Sequence, residues 1–157
     1  MPSTPVRWSL SSFDDLSRRQ LYALLAARAA VFVVEQDCPY QDLDGLDEIG
    51  WHLVATGPDE SVLAYARILP PRGRFAEPSV GRVLTTQASR GRGLGRELMR
   101  RALDEAERRF PGHPVRISAQ QYLERFYAEL GFATVRGPYL EDNIPHLEML
   151  REPSSEQ

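Results

Sequence analysis

The amino-acid sequence predicts an α/β fold, and two observations carry that prediction. The first is a central unit: an apolar run at 80–86, rich in β-branched residues, precedes a glycine-rich turn and a helical pattern over 94–110. The second is the order of the other segments, which reads β-α-β-β-β-α-β-α-β-β along the chain. Helices that alternate with strands pack against the faces of a sheet, so this order indicates an α/β domain.

The first half of the chain supplies a strand, a helix and a hairpin. Residues 6–10 form a short strand, and Ser17 and Gln20 have the spacing of a capping box, which places a helix start at Ser17. The Gly-Pro-Asp-Glu sequence at 57–60 is typical of a turn, so we expect an antiparallel hairpin around it. The two strands of this hairpin cover 51–56 and 62–69.

The second half is organised by the long helix. Its apolar stripe recurs every three to four residues and consists of Leu94, Leu98, Ala102, Leu103, Ala106 and Phe110. Oppositely charged i,i+4 pairs cover its outer face: Glu97–Arg101, Asp104–Arg108 and Glu105–Arg109. The remaining predicted elements are a strand at 115–119, a helix at 121–130 and two closing strands at 132–135 and 147–150.

The composition limits the class of protein. A chain of 157 residues suffices for one well-buried domain, so we predict a single domain over 1–157 with a frayed tail at 152–157. No apolar run approaches the roughly 20 residues that span a bilayer, and no secretory signal pattern is visible. The single cysteine, Cys38, suits a reducing compartment, so we expect a cytoplasmic protein without a membrane partner.

The net charge of −3 is unevenly distributed. Residues 1–66 hold four arginines and ten acids, whereas residues 67–157 hold fifteen arginines and twelve acids. This asymmetry suits a cationic acceptor on one side and a phosphorylated donor on the other. It argues against nucleic-acid binding, for which a net basic domain is typical.

The start of the long helix predicts an anion site. A helix N-terminus carries free N–H groups and partial positive charge, yet Arg90, Arg92 and Arg96 crowd it. The glycines between these arginines leave the backbone amides open to a phosphate. A flexible turn with solvated arginines is the alternative, and an anion site accounts better for the charges.

The glycine pattern identifies the kind of anion. A P-loop requires a lysine, and the chain has none; the Rossmann G-x-G-x-x-G spacing also fails. The pattern that fits is Arg/Gln-x-x-Gly-x-Gly/Ala, met by Arg90, Gly93 and Gly95. It resembles the pyrophosphate-binding motif of GNAT-superfamily N-acetyltransferases, which bind acetyl-coenzyme A.

A second resemblance covers most of residues 21–150. The sequence at 28–36, with Cys-Pro-Tyr-Gln-Asp at 38–42 and Ala-Tyr-Ala-Arg-Ile-Leu at 64–69, is similar to the ElaA-type branch of that superfamily. The resemblance implies a GNAT fold, in which a mixed sheet of about seven strands has helices on both faces. It further implies that the strands at 80–86 and 115–120 splay apart and leave a cleft for the pantetheine arm of the donor.

The resemblance also implies a donor site. The pyrophosphate would lie on the loop Arg90, Gly91, Arg92, Gly93, Leu94, Gly95 and Arg96, and the thioester oxygen near the backbone of Val83, Leu84 and Thr85. Tyr127 lies in Phe-Tyr-Ala-Glu-Leu-Gly-Phe, which resembles the GNAT stretch whose tyrosine stands beside the sulfur. We expect Tyr127 to protonate the leaving thiolate, with Tyr122 as a weaker candidate and plain packing as the alternative.

The acceptor side is predicted from isolated residues. An amine must lose a proton, and we favour Glu35 over His52 as the base, with His113 and His146 structural or exposed. Arg28 falls within the apolar stripe of the first helix, so it either lines the acceptor site or snorkels to solvent. Arg67 faces the cleft or pairs with nearby acids.

Direct transfer to a small or peptidic primary amine, in a ternary complex, is the activity we expect. Cys38 precedes a proline and lacks a Cys-His signature, so a covalent intermediate on it is disfavoured. Neither zinc spacing nor a calcium loop is present in the sequence, and we expect no metal. A monomer or a homodimer is equally compatible with the sequence.

Three other functions remain open at this point. The glycine loop would also serve a non-catalytic acyl-coenzyme A sensor, which needs neither Tyr127 nor Glu35. The arginine and Val-Phe pair of the first helix suggest an acyl-homoserine-lactone-type synthase. Finally, residues 90–95 alone would suit a module that binds a nucleotide phosphate.

Overall fold

The computed structural model describes residues 5–154, whose strands form a seven-stranded sheet. The strands are β1 (Arg7–Ser12), β2 (Trp51–Thr56), β3 (Val62–Leu69), β4 (Ser79–Thr85), β5 (Val115–Gln120), β6 (Ala133–Glu141) and β7 (Ile144–Arg151). Their order in the sheet is β1-β2-β3-β4-β5-β7-β6; β4 and β5 are parallel, and the other neighbours are antiparallel. The helices are α1 (Arg18–Arg28), α2 (Leu94–Arg109) and α3 (Glu124–Ala128). The predicted order of elements is confirmed.

Helices cover both faces of the sheet because side chains alternate along each strand. On one face, Ala64, Ala66 and Ile68 of β3 pack with the buried stripe of α2. On the other face, Tyr65 of β3 packs with Leu24 of α1. The predicted stripe of α2 is the one that is buried, although this helix ends at Arg109 and not at Phe110. The core is therefore two apolar layers, one on each side of the sheet.

The first helix begins as predicted and then changes its winding. Ser17 is the N-cap, and its side chain and that of Gln20 form the reciprocal bonds of a capping box. After Arg28 the chain continues as a π-helix over Ala29–Glu35, which the apolar stripe did not predict. A wider winding turns side chains away from their α-helical directions. Phe32 and Glu35 of this segment line the cleft described below.

Three predicted boundaries near the C-terminus are wrong. The helix expected at 121–130 is a 3-10 turn over Gln121–Leu123 followed by the five-residue α3. The closing strands are longer than expected because β6 continues through Gly137 and Pro138, which normally interrupt strands. Asp142 and Asn143, both at positive φ, then form a two-residue hairpin turn into β7. Of the predicted tail, 152–154 carry no regular element and 155–157 lie outside the described residues.

Five charged residues form what we call the buried ion cluster, after its buried members Arg28, Asp47 and Arg67; Asp42 is half-buried and Asp44 lies at the exposed edge. Arg28 is fully buried and binds Asp42 at 2.9 Å and Asp47 at 2.7 Å. Arg67 binds the same Asp47 oxygen at 2.9 Å and Asp44 at 2.8 Å. The cluster fastens the loop that follows the π-helix to α1 and β3. Arg28 therefore does not snorkel, and Arg67 pairs with acids.

Asp47 is the shared acceptor of this cluster. Burial alone would raise its pKa, but hydrogen bonds from Arg28 and Arg67 outweigh burial and hold the pKa of the carboxyl below its ordinary value. Removal of this carboxylate would leave two arginines in the interior with one charge partner fewer.

We predict that Asp47→Ala strongly destabilises the fold. Breaking a buried ion pair on one side costs about 3–5 kcal/mol, because the remaining charges stay buried. Equilibrium unfolding in urea measures the free energy of unfolding. Asp14→Ala is the control: Asp14 is exposed, and its substitution should change that free energy by less than about 0.5 kcal/mol. Equal effects of the two substitutions would contradict a role for the cluster in stability.

Candidate active site

The sheet opens between its two parallel strands. β4 and β5 pair at Ser79 and Arg116 alone, and beyond that point they diverge, as the family resemblance implied. The gap is a cleft of about 520 Å³. Its lining includes Val83, Leu84 and Thr85 from β4 and Ile117, Ser118 and Ala119 from β5. Backbone groups that would otherwise pair across the sheet are therefore close to any molecule held there.

A bulge lies on the β4 side of this cleft. Tyr65 pairs with Leu84 and Arg67 with Gly81, so two residues of β4, Arg82 and Val83, oppose one residue of β3. Arg82 has φ of 52°, a conformation that side-chain-bearing residues adopt rarely. A bulge takes a residue out of the regular ladder of hydrogen bonds. The backbone predicted to meet the thioester oxygen therefore begins at this irregular position.

The glycine loop lies at the mouth of the cleft. Gly91 and Gly93 have positive φ, and a Cβ atom built on either would meet nothing within 4 Å. Gly93 is the N-cap of the sixteen-residue α2, so the free amides of that helix start here. The lining of the cleft includes Arg90 and Gly95 of this loop, and also Thr85, the last residue of β4. An uncovered helix N-terminus flanked by arginines fits a pyrophosphate.

Two of the loop arginines are bound to carboxylates. Arg90 makes a two-pronged contact with Glu35 and also donates to the Thr85 carbonyl at 2.9 Å. Arg96 binds Glu129 at 2.7 Å. The Arg90 hydrogen bonds lower the pKa of Glu35. Glu35 lines the cleft, but in this arrangement its carboxylate is a weaker base than a free glutamate.

Tyr127 reaches the cleft from the side of α2. It is buried among aromatic rings, with edge contacts to Phe126 and Phe132. Burial raises the pKa of Tyr127 to about 12, so the phenol stays protonated near neutral pH. Tyr122 also lines the cleft, but 77% of its surface is exposed. Of the two tyrosines, Tyr127 is the one held in a fixed environment.

Three predicted acceptor-site residues lie elsewhere. Arg28, His52 and Arg67 are buried and are not among the residues that line the cleft. His52 uses both ring nitrogens: Nε2 is 2.9 Å from the Asp47 carbonyl, and Nδ1 is 2.6 Å from the Tyr65 hydroxyl. Burial lowers the pKa of His52. These three residues lie in the interior and do not form the surface of the cleft, which corrects their predicted placement.

A family match agrees with this geometry. The model of the acetyltransferase (GNAT) domain matches residues 17–152. The chain belongs to the GNAT acetyltransferase family. It is a GNAT-type acyltransferase of the ElaA branch, and the resemblance stated from the sequence is confirmed.

Two relatives and a further solved structure place this GNAT protein within its family. Protein ElaA of Escherichia coli K12 is 44% identical over 149 residues, which are 94% of this chain and 97% of ElaA. The crystal structure of E. coli ElaA superposes with a TM-score of 0.88 at 41% identity, covering 94% of this chain and all of ElaA. A UPF0039 protein of Synechocystis is 44% identical over 92% of this chain and 94% of its own length.

A further solved structure is that of an acyl-CoA N-acyltransferase from Pseudomonas aeruginosa. Its crystal structure superposes with a TM-score of 0.89 at 46% identity, and the match covers 94% of this chain and 99% of that chain.

Within residues 5–154, no helix has the length and apolar character that a membrane crossing requires. In the same part of the chain, His, Cys, Asp and Glu side chains form no group of three or more that would hold a metal ion.

Sequence reasoning missed one wall of the cleft in this GNAT protein. Ser118, Glu141 and His146 line it, together with Arg74 and Tyr40. His146 was expected to be structural or exposed. The signal that would have found it is strand parity: Leu147 and Met149 are core residues, so His146 must point to the other face of β7. That signal depends on the full length of β7, which the sequence did not reveal.

We predict that Arg90→Gln raises the pKa of Glu35 toward its ordinary value. The hydrogen bonds from Arg90 are the main cause of the lowered pKa, and glutamine carries no charge to replace them. NMR titration of the side-chain carboxyl carbon measures the pKa. Arg7→Gln, in the exposed first residue of β1, is the charge-matched control and should leave it unchanged. An unchanged Glu35 pKa in Arg90→Gln would contradict the pairing.

Proposed function

We propose that this GNAT protein transfers an acetyl group from acetyl-coenzyme A to a primary amine by direct attack in a ternary complex. The observation that carries the proposal is the continuity of one cleft. It runs from the glycine loop at Arg90 and Gly95, past the bulge at Val83, to the hydroxyl-bearing Tyr127. A thioester with a phosphorylated handle needs these three features at the same site.

The donor would be held mainly by backbone groups. The pyrophosphate would lie against the free amides of α2, where Gly91, Gly93 and Gly95 present no side chain that blocks it. The amide-containing pantetheine arm would use the unpaired edges of β4 and β5. The N–H groups near Val83 and Leu84 are suited to stabilise negative charge on the thioester oxygen.

The transfer exchanges one bond for another. The amine nitrogen forms a bond to the carbonyl carbon, and the carbon–sulfur bond breaks with its electron pair on sulfur. The phenol of Tyr127 gives its proton to that thiolate, and the nitrogen loses a proton to a base. Cys38 also lines the cleft, and its Sγ donates to the Asp142 carbonyl at 3.3 Å; the direct route needs no covalent intermediate on it.

We predict that Tyr127→Phe lowers kcat by about 100-fold, the low end for loss of a general acid. The affinity for coenzyme A should change by less than about two-fold, because the ring and its packing remain. Steady-state kinetics and calorimetric titration measure the two quantities. Tyr122→Phe, a substitution at the exposed tyrosine of the same cleft, should retain activity. Unchanged kcat in Tyr127→Phe would remove Tyr127 as the acid.

We predict that Gly95→Glu reduces coenzyme A affinity at least about 100-fold by placing bulk and negative charge against the phosphates. Gly95 is the suitable glycine for this test. Its φ is not in the left-handed region, and an added Cβ meets only the Thr85 methyl at 3.8 Å. Gly95→Gln has equal bulk without the charge, so the difference between the two variants measures the electrostatic part. Wild-type affinity in both variants would place the phosphate site elsewhere.

A non-catalytic acyl-coenzyme A sensor is the alternative that shares this loop. Calorimetry with acetyl-coenzyme A, long-chain acyl-coenzyme A, ATP and NAD, followed by an amine panel, separates the functions. Selective binding with turnover supports the acetyltransferase, and binding without turnover of any amine supports the sensor. Preference for long acyl chains supports a synthase of the acyl-homoserine-lactone type. If ATP bound with the same affinity as acetyl-coenzyme A, the loop would be a phosphate site without selectivity for coenzyme A.

A further inference from the structure

The wall of the cleft opposite Tyr127 carries a polar group that the proposed reaction has not yet used. Ala119, Leu147 and Met149 belong to the apolar layer that contains Tyr127. Side chains alternate along strands, so Ser118 of β5 and His146 of β7 lie on the other face. Both line the cleft. Tyr127 and His146 therefore meet one cleft from opposite faces of the sheet.

The hydrogen bonds of His146 determine which of its nitrogens is basic. Nδ1 lies 2.7 Å from the carbonyl oxygen of Ile144. A carbonyl only accepts, so Nδ1 carries the hydrogen and neutral His146 has its lone pair on Nε2. His146 as a whole residue is 7% exposed, and its ring stacks on Tyr139 with 6.2 Å between centroids. His146 is thus held in one orientation at the edge of the cleft.

Glu141 is fixed beside that basic nitrogen. One carboxylate oxygen, Oε1, accepts from Arg74 at 2.8 Å and from Ser118 at 3.0 Å. The other oxygen, Oε2, is 3.9 Å from His146 Nε2. This distance is too long for a hydrogen bond, and it places the carboxylate beside the imidazole. It also leaves Nε2 available to a substrate.

The other candidate bases are occupied. Glu35 is bound by Arg90 at the mouth of the cleft, and both nitrogens of His52 are used within the interior. His113 is exposed in the turn after α2. Among the histidines and the predicted bases, His146 combines a cleft position with an unbonded basic nitrogen.

We propose that His146 is the general base of the transfer and that Glu141 is its positioning residue. The inference rests on the proposed acetyl transfer. As the nitrogen–carbon bond forms, the acceptor nitrogen gives a proton to Nε2 of His146, and Tyr127 gives its own proton to the departing sulfur. Glu141 stabilises the imidazolium, which then returns its proton to solvent. The acceptor is accordingly a primary amine that approaches from the face of the sheet on which α1 packs.

The first test is His146→Gln, which keeps polarity but cannot take the proton. We expect kcat to fall by about 100-fold with the amine that the wild type acetylates best. Coenzyme A affinity should stay within about two-fold. His113→Gln is the matched control and should behave as the wild type. His146→Ala should regain turnover when imidazole is added, because imidazole is a base of the same chemistry. Unchanged kcat in His146→Gln would overturn the inference.

A double-mutant cycle tests Glu141. Glu141→Gln should lower kcat in the wild-type background and have almost no further effect in His146→Gln, because Glu141 acts through His146. A merely structural role would lower kcat and thermal stability equally in both backgrounds. Additive effects on kcat would therefore overturn the role of Glu141.

Failure of the inference is distinguishable from failure of the proposed function. NMR of ¹⁵N-labelled histidine reads the tautomer without any turnover, and we expect the Nδ1-protonated form of His146. The opposite tautomer, or full activity of His146→Gln, overturns the inference while acetyl transfer by the wild type stands. Absence of wild-type turnover with every amine, despite coenzyme A binding, overturns the transfer and the inference together.

Discussion

The separation of β4 from β5 is the constraint on which the rest of the structure depends. Two parallel strands that meet at Ser79 and Arg116 and then diverge forfeit hydrogen bonds that a closed sheet would make. A molecule that carries amide groups restores such bonds, which is why an opening of this kind suits the pantetheine arm of coenzyme A. The opening also makes both faces of the sheet accessible from one cleft. The acid and the base of a transfer can then approach the same carbonyl from opposite sides.

The buried ion cluster explains how one rim of this opening keeps its shape. The loop that ends at Asp47 has little regular structure of its own, yet Arg28 and Arg67 bind three of its carboxylates. A buried charge is costly unless it is paired, so displacement of the loop would leave the buried Arg28 and Arg67 without these partners. Arg82 extends it to β4, with Nε at 2.7 Å from Asp42 Oδ1. The loop, the first helix and the bulged strand are thereby tied to a single arrangement.

Sequence reasoning succeeded where the determining contacts are local. The capping box at Ser17, the hairpin around 57–60 and the periodicity of α2 each depend on residues a few positions apart, and all three were confirmed. Arg28 was misjudged because its partners lie 14 and 19 positions away. His146 was missed for a related reason. Its face is decided by the pairing of β7 with β5 and β6, and the hairpin at Asp142 that fixes this pairing interrupts the apolar pattern.

The period-two alternation that builds the core also separates the two residues for which we propose proton-transfer roles. Tyr127 is held on the apolar side, against Phe126 and Phe132, where burial keeps a phenol protonated. His146 lies on the polar side, where a backbone carbonyl fixes its hydrogen on Nδ1 and Glu141 Oε2 lies 3.9 Å from Nε2. Groups that must donate and accept protons in one step need environments that differ in this sense. A sheet with one apolar and one polar face at its opening provides both environments within a single cleft.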